Sequence, residues 1–293
     1  MSAVTVYGFD LATLLRLGRI ANLPTVWTNV IAGSLIAGGG SVVPTEIALI
    51  ALAMSAFYVG GVYLNDFFDR AIDARERPDR PIAAGDIGAG AVSVIGFGLL
   101  ATGIALMSPF GPAATGSGAL LAGAIVLYDV WHKGNPLSPI VMGLCRALVY
   151  VGAGLAVAQS VPRALVVGAI ALAAHVIGLA CAAKQERLDR VGNLWPLALL
   201  AAPLLVAVPG VGDGWAVAVA FALLLGADAA ALWVLAKRPV AGSVPRAASE
   251  LIAAICLVDA LAVALAGSDP LLVIACAAGY SLTRLLQMSI PGT

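Results

Sequence analysis

The chain has 293 residues, of which 61% are hydrophobic and only 11% are charged, and its formal net charge at pH 7 is zero. Soluble domains carry about 25% charged residues, so this composition excludes a water-soluble globular domain, a disordered chain and a nucleic-acid-binding domain. The mean hydropathy of +1.01 indicates an integral membrane protein whose surroundings are membrane lipid, with no nucleic-acid partner.

Apolar runs of membrane-spanning length follow one another along the chain. A spanning helix needs about 20 mainly apolar residues. Such runs cover residues 20–38, 45–64, 89–107, 112–128, 139–158, 163–183, 194–209, 214–236 and 249–266, and a shorter tenth run covers 270–287. The runs lack the period-two alternation of outer-membrane strands. We therefore predict an all-α bundle of nine or ten transmembrane helices, forming a single domain over residues 1–293.

Basic residues are concentrated at one end of the predicted bundle. Lys and Arg precede the first span and follow the second, fourth, sixth and eighth, whereas the opposite turns contain none except Arg163. The positive-inside rule places the N-terminus and the polar loops 65–88, 129–138 and 184–193 in the cytoplasm, which fits a bacterial inner membrane protein. A site built from charged side chains is predicted on that face.

Four acidic or amide residues follow the second span. On a continued helix, Asn65, Asp69 and Asp73 lie four residues apart on one face, with Asp66 close to Asp69. Stacked carboxylates repel each other unless a cation neutralises them, and hard oxygen ligands suit Mg²⁺, which often binds carboxylates together with substrate phosphates. The pattern predicts a magnesium site. The alternative is a solvated acidic helix end that nearby arginines balance.

An arginine-rich segment comes next and contains Arg77 and Arg80. Guanidinium groups bind phosphate oxygens bidentately, so arginines beside a magnesium site indicate a metal diphosphate as ligand. Ordinary positive-inside anchoring explains any single arginine here equally well.

These motifs resemble those of the UbiA superfamily of intramembrane prenyltransferases. The family's first acidic motif, NDxxDxxxD, is matched by Asn65, Asp66, Asp69 and Asp73, and its Arg-Pro-Leu/Ile-x-x-Gly segment is matched from Arg80 to Gly85. The resemblance implies Mg²⁺-dependent transfer of an isoprenoid from a prenyl diphosphate to a hydrophobic acceptor, aromatic or lipid-like.

The resemblance also implies roles for basic residues elsewhere. Tyr128 and Lys133 look like the family's tyrosine-plus-basic element, and Arg146 follows inside the fifth span. By resemblance these three residues bind the diphosphate. Arg19 before the first span and Lys184 after the sixth would assist them.

The segment after the sixth span departs from the family's second motif, DxxxD. Asp189 occupies the second Asp position, but Gln185 stands at the first, and Glu186 can substitute because it shares a helix face with Asp189. The resemblance implies that Glu186 and Asp189 complete the metal site. Asp189 would then act in catalysis with Asp66, Asp69, Asp73 and Lys133.

Two other functions remain open from the sequence. The same ionisation without an external acceptor describes a membrane terpene cyclase, and the replacement at Gln185 permits a non-catalytic lipid or precursor carrier. No residue indicates the acceptor or the length of the isoprenoid. The acids within the eighth and ninth spans, Asp228 and Asp259, are interpreted as interior helix contacts, with pairing to an arginine or action on the acceptor as the alternatives.

Overall fold

A computed structural model describes residues 11–39, 42–158, 160–184, 194–237, 240 and 242–290. Within these ranges the regular structure is helical, in agreement with the predicted class. The helices are α1 Leu11–Leu17, α2 Leu23–Ala37, α3 Pro44–Glu76, α4 Pro81–Ala84, α5 Ala89–Met107, α6 Pro112–Trp131, α7 Ser138–Val157, α8 Arg163–Ala183, α9 Ala202–Ala207, α10 Trp215–Ala236, α11 Ser243–Leu265 and α12 Pro270–Ser289.

Nine helices of the described part are long and apolar enough to cross a membrane: α2 with the 3₁₀ turn before it, α3, α5, α6, α7, α8, α10, α11 and α12. The run at 270–287, predicted only as a shorter candidate, is the core of the full-length helix α12. The chain is an integral membrane protein of the predicted helical type.

The predicted span at 194–209 corresponds to Trp195–Gly210 and is less regular than expected. Trp195–Ala201 is a 3₁₀ helix, α9 follows, and Val208–Gly210 is again 3₁₀. Three prolines at 196, 203 and 209 remove backbone donors, which disfavours a continuous α-helix. Because a 3₁₀ helix rises about 2.0 Å per residue, the whole segment still extends roughly 29 Å, close to the thickness of a bilayer core.

Helix α3 extends beyond its apolar run. The apolar run ends at residue 64, but the helix continues through the acidic motif, as the spacing of the motif predicts, to Glu76, and it ends where the amide of Arg77 bonds the carbonyl of Asp73. The first helix-breaking residue after the span is Pro78, so nothing local stops the helix earlier. In the same way α6 continues to Trp131, beyond the predicted start of the loop at 129.

Small residues allow the helices to approach closely. A Cβ atom added to Gly33 of α2 would lie 2.7 Å from the carbonyl oxygen of Tyr150 in α7, and one added to Gly60 of α3 would lie 2.9 Å from the carbonyl oxygen of Gly96 in α5. Such contacts stabilise helix pairs in lipid, where apolar side chains gain little from mutual burial. Helix α11 lies at the centre and packs against α2, α8, α10 and α12.

The polar ends of several helices meet at one end of the bundle. Asp69 near the end of α3 contacts Lys133, just beyond α6, and Lys184 after α8 contacts Ser138 at the start of α7. The fold therefore brings together polar segments that are far apart in the sequence.

Candidate active site

The acidic motif forms one face of the last turns of α3. Asp66, Asp69 and Asp73 are buried, each with 5% or less of the residue exposed. Nη1 of Arg80 lies 2.6 Å from Oδ1 of Asp66 and 3.0 Å from Oδ2 of Asp73. One guanidinium nitrogen thus bridges carboxylates two helical turns apart, and its charge reduces the repulsion between them.

Arg19 reaches the same carboxylate from the other side. Its Nη2 lies 2.8 Å from Oδ1 of Asp66. Its backbone is left-handed, with φ of 43°, the only positive φ at a non-glycine position among the described residues. The conformation is uncommon for a residue with a side chain, and the hydroxyl of Tyr58, donating to the carbonyl of Arg19, helps to hold it.

Asp69 is held by the end of α6. Nζ of Lys133 lies 3.0 Å from Oδ2 of Asp69, and Nε2 of His132 lies 3.3 Å from the same oxygen. The ring of His132 stacks on Tyr128 with centroids 4.9 Å apart. His132 was not among the predicted site residues, although its place beside Lys133 and four residues after Tyr128 put it on the same surface.

Asp129 is a second site residue that was not predicted. Nδ2 of Asn65 donates to its Oδ1 at 3.3 Å, while its Oδ2 is buried and has no hydrogen-bond partner among the described residues. Burying a carboxylate oxygen without a hydrogen-bond donor costs folding free energy, so a site with this feature suits a bound cation or a ligand that donates a hydrogen bond. Its position at the end of a span was the only signal in the sequence.

Arg146 lies apart from the acidic motif. Its Nη1 donates to Oδ1 of Asn29 at 2.7 Å, and its Nη2 donates to Oγ1 of Thr25 at 3.0 Å. Both partners belong to α2. The predicted contact of Arg146 with a diphosphate stays a prediction.

The other predicted residues are placed as follows. Nζ of Lys184 donates to the carbonyl of Asn135 at 2.9 Å and to Oγ of Ser138 at 2.8 Å, and partial burial lowers the pKa of its ammonium. Arg77 and Tyr128 border the central cavity. Glu186 and Asp189, with Gln185, lie outside the described residues.

A cavity of about 1120 Å³ opens beside these groups. Its charged wall includes Arg19, Asp69, Arg80 and Lys133, and its apolar wall runs inward between α3, α6, α7, α8 and α11. A ligand that combines a charged head with an apolar chain fits this division.

The described residues do not assemble three or more His, Cys, Asp or Glu side chains as a ready metal site. The carboxylates of Asp66, Asp69 and Asp73 instead bond to arginine, lysine and histidine side chains. The donor set nevertheless fits Mg²⁺, which prefers carboxylate and amide oxygens and shares them with phosphates. The unpaired oxygen of Asp129 lies on the same wall of the cavity.

Comparison with known proteins gives a consistent family. Residues 25–247 match the model of the UbiA prenyltransferase family. The chain is 32% identical over 132 residues to the digeranylgeranylglyceryl phosphate synthase of Methanopyrus kandleri, covering 44% of this chain and 46% of that protein. It is 30% identical over 179 residues to the synthase of the same name from Ignicoccus hospitalis, covering 57% and 58%. The chain thus matches about half the length of these relatives.

Solved structures share the fold. A UbiA homologue from Aeropyrum pernix K1 gives a TM-score of 0.63 at 18% identity, covering 82% of this chain and 94% of that chain. A UbiA homologue from Archaeoglobus fulgidus bound to GPP and Mg²⁺ gives a TM-score of 0.53 at 15% identity, covering 94% and 99%. At these identities the likeness concerns the fold.

Proposed function

Because the chain belongs to the UbiA prenyltransferase family, we propose that it transfers an isoprenoid group from a prenyl diphosphate to a hydrophobic acceptor within the membrane. The observation that carries the proposal is the single cavity that joins a wall of buried carboxylates and cations to a long apolar wall. The Archaeoglobus fulgidus homologue, bound to GPP and Mg²⁺, supports the assignment of the charged wall to a metal diphosphate.

Mg²⁺ would be held by Asn65, Asp66, Asp69 and Asp73, and Glu186 and Asp189 are proposed to complete its ligands. When bound, the metal neutralises charge on the diphosphate and so makes it a better leaving group. Arg19, Arg80 and Lys133 already contact the acidic motif. They would bind the remaining diphosphate oxygens, with Arg77, Tyr128 and Lys184 around them.

The transfer breaks one bond and forms another. The allylic C–O bond breaks and its electron pair leaves with the diphosphate. The allylic carbon then bonds to a nucleophilic atom of the acceptor, which gives up a proton, and that proton balances the charge of the released inorganic diphosphate. Fixed cations in a water-poor cavity stabilise the developing negative charge more strongly than they would in water. The apolar wall excludes water, which would otherwise capture the carbocation.

The acceptor is proposed to be lipid-like or aromatic. The relatives from Methanopyrus kandleri and Ignicoccus hospitalis are named as synthases of digeranylgeranylglyceryl phosphate, which favours a lipid-like acceptor here. The polar end of the bundle is proposed to face the cytoplasm.

The test is release of inorganic diphosphate from geranyl, farnesyl and geranylgeranyl diphosphate by the purified protein in nanodiscs. Reactions run with and without Mg²⁺ and with a membrane extract as a source of acceptors. We expect release to require Mg²⁺ and to fall at least 100-fold in Asp69→Ala, because that carboxylate lies at the centre of the charged wall. Asp86→Ala is the matched control, since this exposed aspartate lies at the same end of the chain's fold but outside the motif.

The products separate the alternatives. A prenylated compound that forms only with extract supports transfer. Hydrocarbons or alcohols formed from the diphosphate alone would indicate a cyclase instead. Binding of the diphosphates without any release would contradict both enzymes and favour a carrier.

A further inference from the structure

Arg146 is a further cation of the cavity wall and makes no contact with the acidic motif among the described residues. The two hydrogen bonds of Arg146 go to Thr25 and Asn29, which are fully buried and uncharged. No ion pair joins its guanidinium to a carboxylate among the described residues. A guanidinium has five N–H donors, so these two hydrogen bonds leave three of them unused, and Arg146 borders the cavity.

This cation lies deeper than the acidic motif. Arg146 is eight residues from Ser138 at the start of α7, which places it about 12 Å along the helix. Its guanidinium is 5.9 Å from the ring centre of Tyr58, and Tyr58 precedes Asp66 by eight residues, again about 12 Å of α3. A diphosphate is much shorter than two helical turns. Measured along the backbone of α3, a diphosphate bound at Asp66 and Arg80 is about two turns from the level of Tyr58 and Arg146.

A buried carboxylate fixes the orientation of this cation. Asp259 of α11 is fully buried and accepts hydrogen bonds from Thr28 at 2.5 Å, Tyr150 at 2.5 Å and the amide nitrogen of Asn29 at 2.9 Å. A carboxylate only accepts hydrogen bonds, so it turns the nitrogen of Asn29 toward itself and the amide oxygen toward Arg146. Asp259 is therefore a positioning residue for the guanidinium.

The apolar wall of the cavity consists of two surfaces. The first, here the α3–α6 surface, lies inward of the acidic motif and comprises Met54, Phe57, Leu121 and Ile125. The second, here the α8–α11 surface, comprises Val176, Leu179, Ala248 and Ile252. Helix α7, which carries Arg146, packs against both α6 and α8 and so lies between these surfaces. The cavity thus has two apolar surfaces, and the helix that carries Arg146 lies between them.

We propose that Arg146 binds an oxyanion of the acceptor, a phosphate or a carboxylate, while the acceptor's apolar part lies on the α8–α11 surface. The isoprenoid of the donor then lies on the α3–α6 surface. This inference rests on the proposed transferase function and narrows its acceptor to amphipathic acids. It assigns Arg146 to the acceptor, whereas the family resemblance assigns it to the donor diphosphate.

The experiment measures binding of simple probes while the donor site is filled. The purified protein is saturated with Mg²⁺ and geranyl S-thiolodiphosphate, in which a C–S bond replaces the reactive C–O bond. Dodecyl phosphate, dodecanoate and dodecanol are then titrated. We expect at least one anionic probe to bind at least tenfold more tightly than dodecanol, and the better of the two identifies the oxyanion.

Variants assign the effect to the proposed residues. Arg146→Gln should weaken the anionic probe at least tenfold and leave the affinity for geranyl S-thiolodiphosphate within twofold, and Arg146→Lys should retain part of the binding. Asp259→Asn should reduce the preference for the anionic probe over dodecanol, a ratio that a general loss of packing would not change selectively.

Different results would contradict the assignment of Arg146 and the proposed transferase function. Equal binding of the anionic probe by wild type and Arg146→Gln would overturn the inference, as would loss of the donor analogue in the same variant. Competition between dodecyl phosphate and the donor analogue would show a single anion site and also overturn it. Failure of the wild type to bind the donor analogue, with Asp69→Ala unchanged from wild type, would overturn the proposed function itself.

Discussion

The guanidinium of Arg80 lies between two carboxylates of the acidic motif, where a metal cation could otherwise bind. It bonds Asp66 and Asp73 through a single nitrogen, and Arg19 bonds the same oxygen of Asp66. A metal that needs these oxygens must displace one or both guanidinium groups. The arginines would then be free to bind the phosphates that arrive with the metal. Each arginine would thus bond to a carboxylate in the absence of metal and to a phosphate in its presence.

This exchange predicts that Arg80→Gln lowers the Mg²⁺ concentration required for binding but also lowers the affinity for the diphosphate. Without the competing guanidinium, the Mg²⁺ concentration for half-maximal binding of geranyl diphosphate should fall several-fold. At saturating Mg²⁺ the affinity for the diphosphate should fall about tenfold, because a charge-assisted hydrogen bond is lost. Calorimetric titration measures both quantities. Arg70→Gln is the control, since Arg70 is exposed and bonds only locally to Phe67; an unchanged Mg²⁺ requirement in Arg80→Gln contradicts the exchange.

The sequence predicts which site residues lie together when they belong to the same helix. The four positions of the acidic motif lie within one helix, so their spacing alone placed them on one face. The contacts of Asp69 with His132, and of Asn65 with Asp129, join different helices. Spacing along the chain carries no information about such contacts, and they required the structure.

Helices α2 and α7 meet through a glycine. The carbonyl of Tyr150 occupies the space that a side chain at Gly33 would need. Asp259 accepts hydrogen bonds from both helices, through Asn29, one turn before Gly33, and Tyr150, one turn after Arg146, and Arg146 of α7 bonds to Asn29 of α2. Close packing at this contact therefore fixes the polar network beside the cavity.

Gly33→Ala should lower stability because the added methyl group overlaps backbone. Overpacking of this kind costs about 1–3 kcal/mol in the free energy of unfolding, seen as a lower Tm of the protein in detergent. Gly98→Ala is the matched control, because no atom lies within 4 Å of a Cβ at that exposed position of α5. It should leave Tm unchanged or raise it slightly. A Tm in Gly33→Ala equal to that of the control would show that α2 and α7 separate easily.

Element boundaries could be predicted where hydropathy and helix-breaking residues agree. They agree for α5 and α8, where both ends match the predicted runs within one residue. They disagree for α3, where polarity begins at Asn65 but the helix continues. In Trp195–Gly210 the run is apolar enough for a span, yet its prolines change the helix type.

The whole molecule carries its reactive charges at one end. The acidic motif bonds to Arg19, Arg80 and Lys133 at one end, and the turn before α10 lies at the other end, with Gly210 against Leu265. Positive-inside orientation predicts that the first end faces the cytoplasm.

Cysteine labelling in intact cells measures the orientation directly. A membrane-impermeant maleimide should label Asp213→Cys from outside, because Asp213 is exposed in the turn before α10. It should label Asp86→Cys, exposed at the other end, only after the cells are permeabilised. The parent protein with its four native cysteines supplies the background. The reverse pattern would place the site outside the cytoplasm.

Under the proposed placement of the isoprenoid on the α3–α6 surface, the packing behind Phe57 is expected to control which isoprenoid lengths the protein accepts. Its ring lies at the inner part of the α3–α6 surface and rests against two glycines that do not border the cavity, Gly103 of α5 and Gly118 of α6. A side chain at Gly103 would meet the ring at 2.9 Å, so the ring would have to move toward the cavity. We therefore expect larger residues at these glycines to shorten the accepted chain and a smaller residue at Phe57 to lengthen it, although the glycines do not border the cavity.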